Sequence, residues 1–304
     1  MSQRAVCVAC LGAFLGVAWV VVPVARGTGT LAAAAESQNA RVVRDITYAT
    51  VDGKELQLDL HMPAGVDNPP LLVWVHGGAW REGARTSVRP EFARNGIATA
   101  SVSYRLSTEA RFPAMAHDIK AAIRFLRARA STYGYRADRI AIAGDSAGAH
   151  LAALVGVSND VAALEGTVGD HHSESSDIQA IVDYYGASNL STILPQSTPV
   201  GLNVRVPALD LLLGGQPDVV PDLAKLASVV THVDAQDPPL LIFHGDQDPQ
   251  MPINQSHELH GVYKVRKLDV DMVVVHGAAH GGAVFYAGDH LERALAFLRR
   301  TLGR

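Results

Sequence analysis

The chain has 304 residues, 48% hydrophobic and 18% charged, with a formal net charge of −4. That length suits one large α/β domain or two small ones, and the composition is that of an ordinary globular protein. With no basic block and no interleaving of aromatic with basic residues, a nucleic-acid partner is excluded.

The first feature in chain order is N-terminal. Arg4 precedes an apolar run from Ala5 to Val24, followed by Arg26, a Gly/Thr stretch and Leu31-Ala32-Ala33-Ala34-Ala35. A charged start, an apolar centre and a small-residue exit describe a secretory signal peptide. The run is close to the ~20 residues that span a bilayer, so an uncleaved membrane anchor is the alternative reading. A buried helix of the domain is the third. The expected division is a leader over 1–35 and a single catalytic domain over 36–304. The product is expected to be exported, secreted or periplasmic, with membrane contact only if the leader is retained. Both cysteines, Cys7 and Cys10, lie in the leader, so no disulfide is expected in the mature chain.

From Val42 onward strands and helices alternate. Arg41–Val51 and Glu55–Met62 read as strands joined at the Asp52-Gly53 turn signal. Leu71–Val75 and Ile97–Tyr104 are apolar runs, as expected of strands buried on both faces. Met115–Tyr133 carries Ile119, Ala122, Ile123, Leu126 and Ala130 at helical spacing. Ile140 to Ala143 is a short strand, with a helix expected from Ala149 onward. Ala180–Tyr185, Leu240–Phe243 and Val270–Val275 are further strands, and Asn254–Lys267 and His290–Leu302 further helices. The order predicts an α/β fold: a mostly parallel central sheet with helices on both faces, and antiparallel strands added at one edge by the opening hairpin. Residues 187–237 break the rhythm with Pro195, Pro199, Pro207, Pro217, Pro221 and Gly214-Gly215. They are expected to form a small insertion of short helices and loops over the sheet's C-terminal edge.

Gly144-Asp145-Ser146-Ala147-Gly148 fits G-x-S-x-G between a strand and a helix, the context that a nucleophile elbow needs. A serine hydroxyl is a weak nucleophile and needs a base with a carboxylate behind it. Two later segments follow strands and supply candidates. His244-Gly245-Asp246-Gln247-Asp248 offers Asp248 as the acid, with Asp246 as the alternative. His276-Gly277-Ala278-Ala279-His280 offers His280 as the base, with His276 as the competitor. The order Ser, Asp, His is the one this motif calls for. His76-Gly77-Gly78-Ala79-Trp80 follows the Leu71–Val75 strand, where glycine amides can face a developing oxyanion. Gly77, Gly78 and Ala147 are the expected oxyanion donors. Trp80 and Asp145 are the expected substrate-binding residues, although Trp80 either lines an acyl pocket or packs beneath it. His171-His172 with Glu174 and Asp177 reads as a solvated loop and not as a metal site, and no metal or organic cofactor is expected.

Taken together, these segments resemble α/β-hydrolase esterases of the broad hormone-sensitive-lipase-like group, closest to bacterial carboxylesterases and feruloyl/acetyl esterases with HGGxW. Ser103-Tyr104-Arg105-Leu106-Ser107, Phe112-Pro113-Ala114 and Asp183-Tyr184-Tyr185-Gly186 add to the likeness, which spans roughly residues 42–300. The resemblance implies Ser146 as nucleophile, Asp248 as acid, His280 as base and an oxyanion hole from the glycine loop and Ala147. It implies a serine carboxylesterase acting on short-chain acyl (acetyl) or feruloyl esters, whether small molecules or polysaccharide-linked. An arylformamidase, a peptidase-like hydrolase and a non-catalytic binding protein on this scaffold are the alternatives. The chain departs from the common pattern at Ala79, where many relatives carry a third glycine, and at Thr108, where proline is common.

Overall fold

Alternate residues of Leu71–Val75 (β3) fall into two separate hydrophobic clusters, which is what a strand covered on both faces requires. Leu71, Val73 and Val75 pack with Ile119, Leu151 and Leu154, whereas Leu72 and Trp74 pack with Phe92, Leu295 and Leu298. The computed structural model describes residues 41–303. The expected leader lies outside the described residues, among which no helix is long and apolar enough to cross a membrane.

Eight strands form one sheet. Arg41–Val51 (β1) and Lys54–Met62 (β2) make the opening hairpin, and β2 pairs antiparallel with Ala98–Val102 (β4). The remaining pairings are parallel: β4 with β3, β3 with Ile140–Asp145 (β5), then Ala180–Tyr184 (β6), Leu240–Gly245 (β7) and Val270–Val275 (β8). The order is β1-β2-β4-β3-β5-β6-β7-β8. The longer helices are Ala114–Ala128 (α1), Ala147–Gly156 (α2), Pro199–Leu213 (α3), Asn254–Val265 (α4) and Gly288–Leu302 (α5). Residues of α1 and α2 pack in one of the two clusters and residues of α5 in the other. This is the mostly parallel sheet with helices on both faces expected from the strand–helix alternation, and the α/β-hydrolase architecture that the resemblance implies.

Two helices differ from the reading of the sequence. The run expected over 115–133 breaks at Arg129, between α1 and a short turn over Ala130–Tyr133. Beyond the break Ala130 and Tyr135 are buried, and the Tyr135 hydroxyl donates to Leu126 O at 2.7 Å. Within 187–237, α3 is a 15-residue helix despite its prolines. Thr198 caps it by accepting the Gly201 N–H, Pro199 sits in its first turn and Gly214 ends it in the left-handed conformation. Pro207 lies inside the helix and removes one backbone donor there.

The close crossing of β3 and α2 depends on Gly148. A Cβ added there would run into the carbonyl oxygens of Val75 and His76. Backbone cannot yield as a flexible side chain does, so Gly148→Ala is expected to destabilise the protein by ~1–3 kcal/mol or more. A lower midpoint in thermal unfolding is the check, and an unchanged midpoint contradicts the packing argument.

Candidate active site

The site forms where β3, β5, β7 and β8 end, at the carboxyl edge of the parallel strands, where open α/β sheets place their ligands. Ser146 lies between β5 and α2 with φ 53° and ψ −119°, a strained conformation for a residue with a side chain. The turn is held in place: Ser146 N–H donates to Tyr184 O at 2.9 Å, and His150 N–H donates to Ser146 O at 3.0 Å.

The loops after β7 and β8 bring Asp248 and His280 to this serine. Ser146 Oγ is 2.9 Å from His280 Nε2, and His280 Nδ1 is 2.6 Å from Asp248 Oδ2. Asp248 Oδ1 accepts the N–H groups of Gln250 and Met251 at 2.8 and 2.9 Å. Burial by itself pushes the Asp248 carboxyl up. Hydrogen bonds from His244 and His280, with that of Met251, outweigh burial and hold the carboxyl well below the ordinary range. His244 was not singled out from the sequence. It is fully buried, with its Nε2 3.4 Å from Asp248 Oδ2 and its Nδ1 2.7 Å from Ser256 Oγ. Its place at the end of β7 was the available signal.

The competing residues form a separate pair. His276 Nδ1 is 2.8 Å from Asp246 Oδ2, and Asp246 Oδ1 accepts the Gly277 N–H at 2.7 Å. The His276 side chain is 84% exposed, so this pair ties two loops together at the surface.

Three expected roles are corrected. Gly77 is not a free oxyanion donor, because its N–H is committed to Asp145 Oδ1 at 2.7 Å. Among the described residues, the N–H groups of Gly78, Ala79 and Ala147 have no partner within the chain, so the Ala79 amide is available where that of Gly77 is not. Asp145 borders the pocket, but its carboxylate is occupied. Oδ1 holds Gly77 and Oδ2 is 3.1 Å from Arg89 Nη2, so Asp145 positions the glycine loop. Trp80 does not line the pocket. It is fully buried, and its Nε1–H donates to His150 Nδ1 at 3.0 Å beneath the site. Tyr104 braces the same loop, stacking on His76 and donating from its hydroxyl to His76 O at 3.0 Å.

The pocket over Ser146 measures about 670 Å³, and Gly78, Ala79, Tyr185, Arg205 and His280 are among its walls. Tyr185 sets its ring edge-on to His280 with centroids 4.9 Å apart, and its hydroxyl is 2.8 Å from that of Tyr286. Arg89, which lies over the Tyr286 ring at 4.1 Å, and Arg205 were also missed in the sequence. A larger groove of about 850 Å³ runs along α4 and contains none of these residues. His171 lies against Phe125, and among the described residues no cluster of three or more His, Cys, Asp or Glu could hold a metal ion.

The arrangement can therefore remove a proton from Ser146 and receive negative charge on three amides. The BD-FAE family matches residues 58–263 of the chain. Among curated proteins, the esterase LipQ of Mycobacterium tuberculosis is 34% identical over 193 residues, which is 62% of this chain and 44% of LipQ. The chain spans about half the length of the curated relatives it matches. Among solved structures, a truncated carbohydrate esterase from gut microbiota superposes with a TM-score of 0.80 at 28% identity, covering 88% of this chain and 99% of that one. Esterase Est2 of the planctomycete Thermogutta terrifontis superposes at 0.68 and 28% identity, covering 87% and 93%. The chain belongs to the BD-FAE family, among the α/β-hydrolase esterases.

Proposed function

We propose that this chain hydrolyses carboxylic esters through an acyl-enzyme formed on Ser146. One observation carries the reading: the continuous path from Ser146 Oγ through His280 to Asp248, beside the glycine-loop amides of Gly78 and Ala79 and the following amide of Ala147, which have no partner among the described residues. In the first half-reaction His280 Nε2 takes the Ser146 proton as Oγ attacks the ester carbonyl. The amides of Gly78, Ala79 and Ala147 receive the oxyanion, each worth ~2.7–4 kcal/mol of transition-state stabilisation. His280 then protonates the leaving alcohol. Water, deprotonated by the same imidazole, releases the acid and restores Ser146. Asp248 holds the imidazole orientation and its charged form.

The substrates we propose are short acyl (acetyl) or feruloyl esters, free or carried on polysaccharides. The likeness to a carbohydrate esterase supports this. Export of the protein is also proposed, on the composition of residues 1–35. Initial rates on p-nitrophenyl acetate, butyrate and octanoate, methyl ferulate, acetylated xylan and N-formylkynurenine test the reading. Serine-dependent hydrolysis that favours short acyl or feruloyl esters is the expected result. Preference for N-formylkynurenine would move the chain to the formamidases.

Asp145 should matter without touching substrate. Asp145→Ala frees Gly77 and loosens the amides that follow it. Misplacement of about 1 Å can cost ~100-fold, so kcat on p-nitrophenyl acetate is expected to fall about tenfold to a hundredfold. If kcat is unchanged, the glycine loop does not depend on this carboxylate.

A further inference from the structure

Arg205 is the most anomalous side chain in the pocket. It sits on α3, lines the cavity over Ser146 and is only 1% exposed, yet its Nε and Nη1 have no hydrogen-bond partner. Among the described residues it makes no ion pair. Its guanidinium lies over the Trp80 ring at 5.6 Å. That cation–π contact offsets part of the cost of desolvation, but a ring face accepts none of the in-plane N–H groups. Burial pushes the Arg205 guanidinium down to about 10, and the Asp248 charge counters only part of that effect. A buried cation left unpaired is among the costliest arrangements in a protein.

Among the described residues, no carboxylate around it pairs with it directly. Asp248 is engaged by His280 and by the Gln250 and Met251 amides, and Asp145 is engaged by Arg89 and Gly77. Arg81 adds a second guanidinium to the pocket wall, with no ion pair of its own among the described residues, and it disfavours the charge on Arg205. On the same wall Glu82, which is exposed, and Asp145, which is paired with Arg89, carry the opposite charge, and Asp248 stands behind His280. Arg205 thus brings to the pocket beside the serine a guanidinium with two N–H groups that no group of the described chain accepts. Guanidinium forks match planar carboxylates with paired hydrogen bonds.

We propose that Arg205 is the anion subsite of this pocket and that the preferred esters carry a free carboxylate. This rests on the ester-hydrolase reading above. The carboxylate can belong to the acyl half, as in a half-ester of a dicarboxylic acid, or to the alcohol half, as in a uronic-acid-bearing sugar. The subsite determines which ester is chosen and leaves the chemistry on Ser146 as described.

Two matched pairs separate the sources. p-Nitrophenyl hydrogen glutarate against p-nitrophenyl pentanoate probes the acyl side, and 4-acetoxybenzoate against 4-acetoxybenzamide probes the alcohol side. The wild-type protein should favour the acid in one pair by at least about tenfold in kcat/KM, as one charge-assisted hydrogen bond supplies. In Arg205→Gln the same ratio should collapse by a similar factor, and using the ratio cancels any general loss of active protein. Should that variant not fold, glutarate competing with p-nitrophenyl acetate on the wild-type protein, where glutaramide does not, supports the subsite. Equal inhibition by the two contradicts it. Neutral esters preferred in both pairs, or a ratio untouched by Arg205→Gln, overturns the subsite alone. Absence of Ser146-dependent turnover on every ester overturns the hydrolase reading and the subsite together.

Discussion

Ser146→Ala folds like the parent and loses turnover on the order of 10⁶-fold in kcat, the scale at which a nucleophile acting through a triad is missed. Folding should survive because alanine occupies φ 53° at much the same backbone cost as serine. The Ser146 N–H bond to Tyr184 O and the His150 N–H bond to Ser146 O are backbone contacts that the substitution keeps. What disappears is the Oγ that lies 2.9 Å from His280 Nε2. Thermal unfolding together with initial rates on p-nitrophenyl acetate separates the two effects. A midpoint near that of the parent with rates near background is the expected pair of results. A parent-like rate would remove Ser146 from the reaction and with it the acyl-enzyme. Labelling by a fluorophosphonate probe gives a second reading, because the parent should react covalently and the alanine protein should not.

What the sequence made legible was governed by local rules. Strand ends could be read from apolar runs such as Leu71–Val75 and Leu240–Phe243, and parallel strands all end on one edge. The loops bearing Ser146, Asp248 and His280 therefore share one edge of the sheet, and there they meet. The less legible roles depend on distant partners. Whether the Gly77 amide is free depends on Asp145, and Asp145 in turn on Arg89, which lies 56 positions away. Trp80 packs inward because His150, 70 positions on, accepts from its indole. No spacing rule encodes such pairs. The length of α3 within the insertion was less legible for a different reason. Pro207 signals a helix breaker locally, yet α3 continues through it, with caps at Thr198 and Gly214 that were present to be read. Arg205 was not singled out, because its burial in the pocket wall depends on how α3 packs and not on a local pattern.

Asp248→Asn should cost about 10⁴-fold in kcat, because the amide would force the wrong tautomer on the base. The argument is geometric. Asp248 Oδ1 already accepts two backbone N–H groups, from Gln250 and Met251. An asparagine oxygen keeps both bonds only if it stays there, which turns its NH₂ towards His280 Nδ1. That nitrogen must then accept, so the imidazole proton moves to Nε2, the atom facing Ser146 Oγ. An Nε2–H cannot take the serine proton, and the path from Oγ is blocked although every distance is kept. The same substitution carries a pH signature in stability. The folded carboxyl is held below the unfolded value of about 3.9. Its stabilising contribution is therefore complete above pH about 4 and is lost as pH falls from there toward the folded value. The parent should exceed Asp248→Asn in unfolding free energy at neutral pH, and the gap should narrow as pH drops below about 4. Denaturant unfolding of both proteins at pH 7 and pH 3 measures it. A gap that does not change with pH would mean that the Asp248 charge contributes nothing to the fold, and a kcat within tenfold of the parent would mean that His280 does not need its carboxylate.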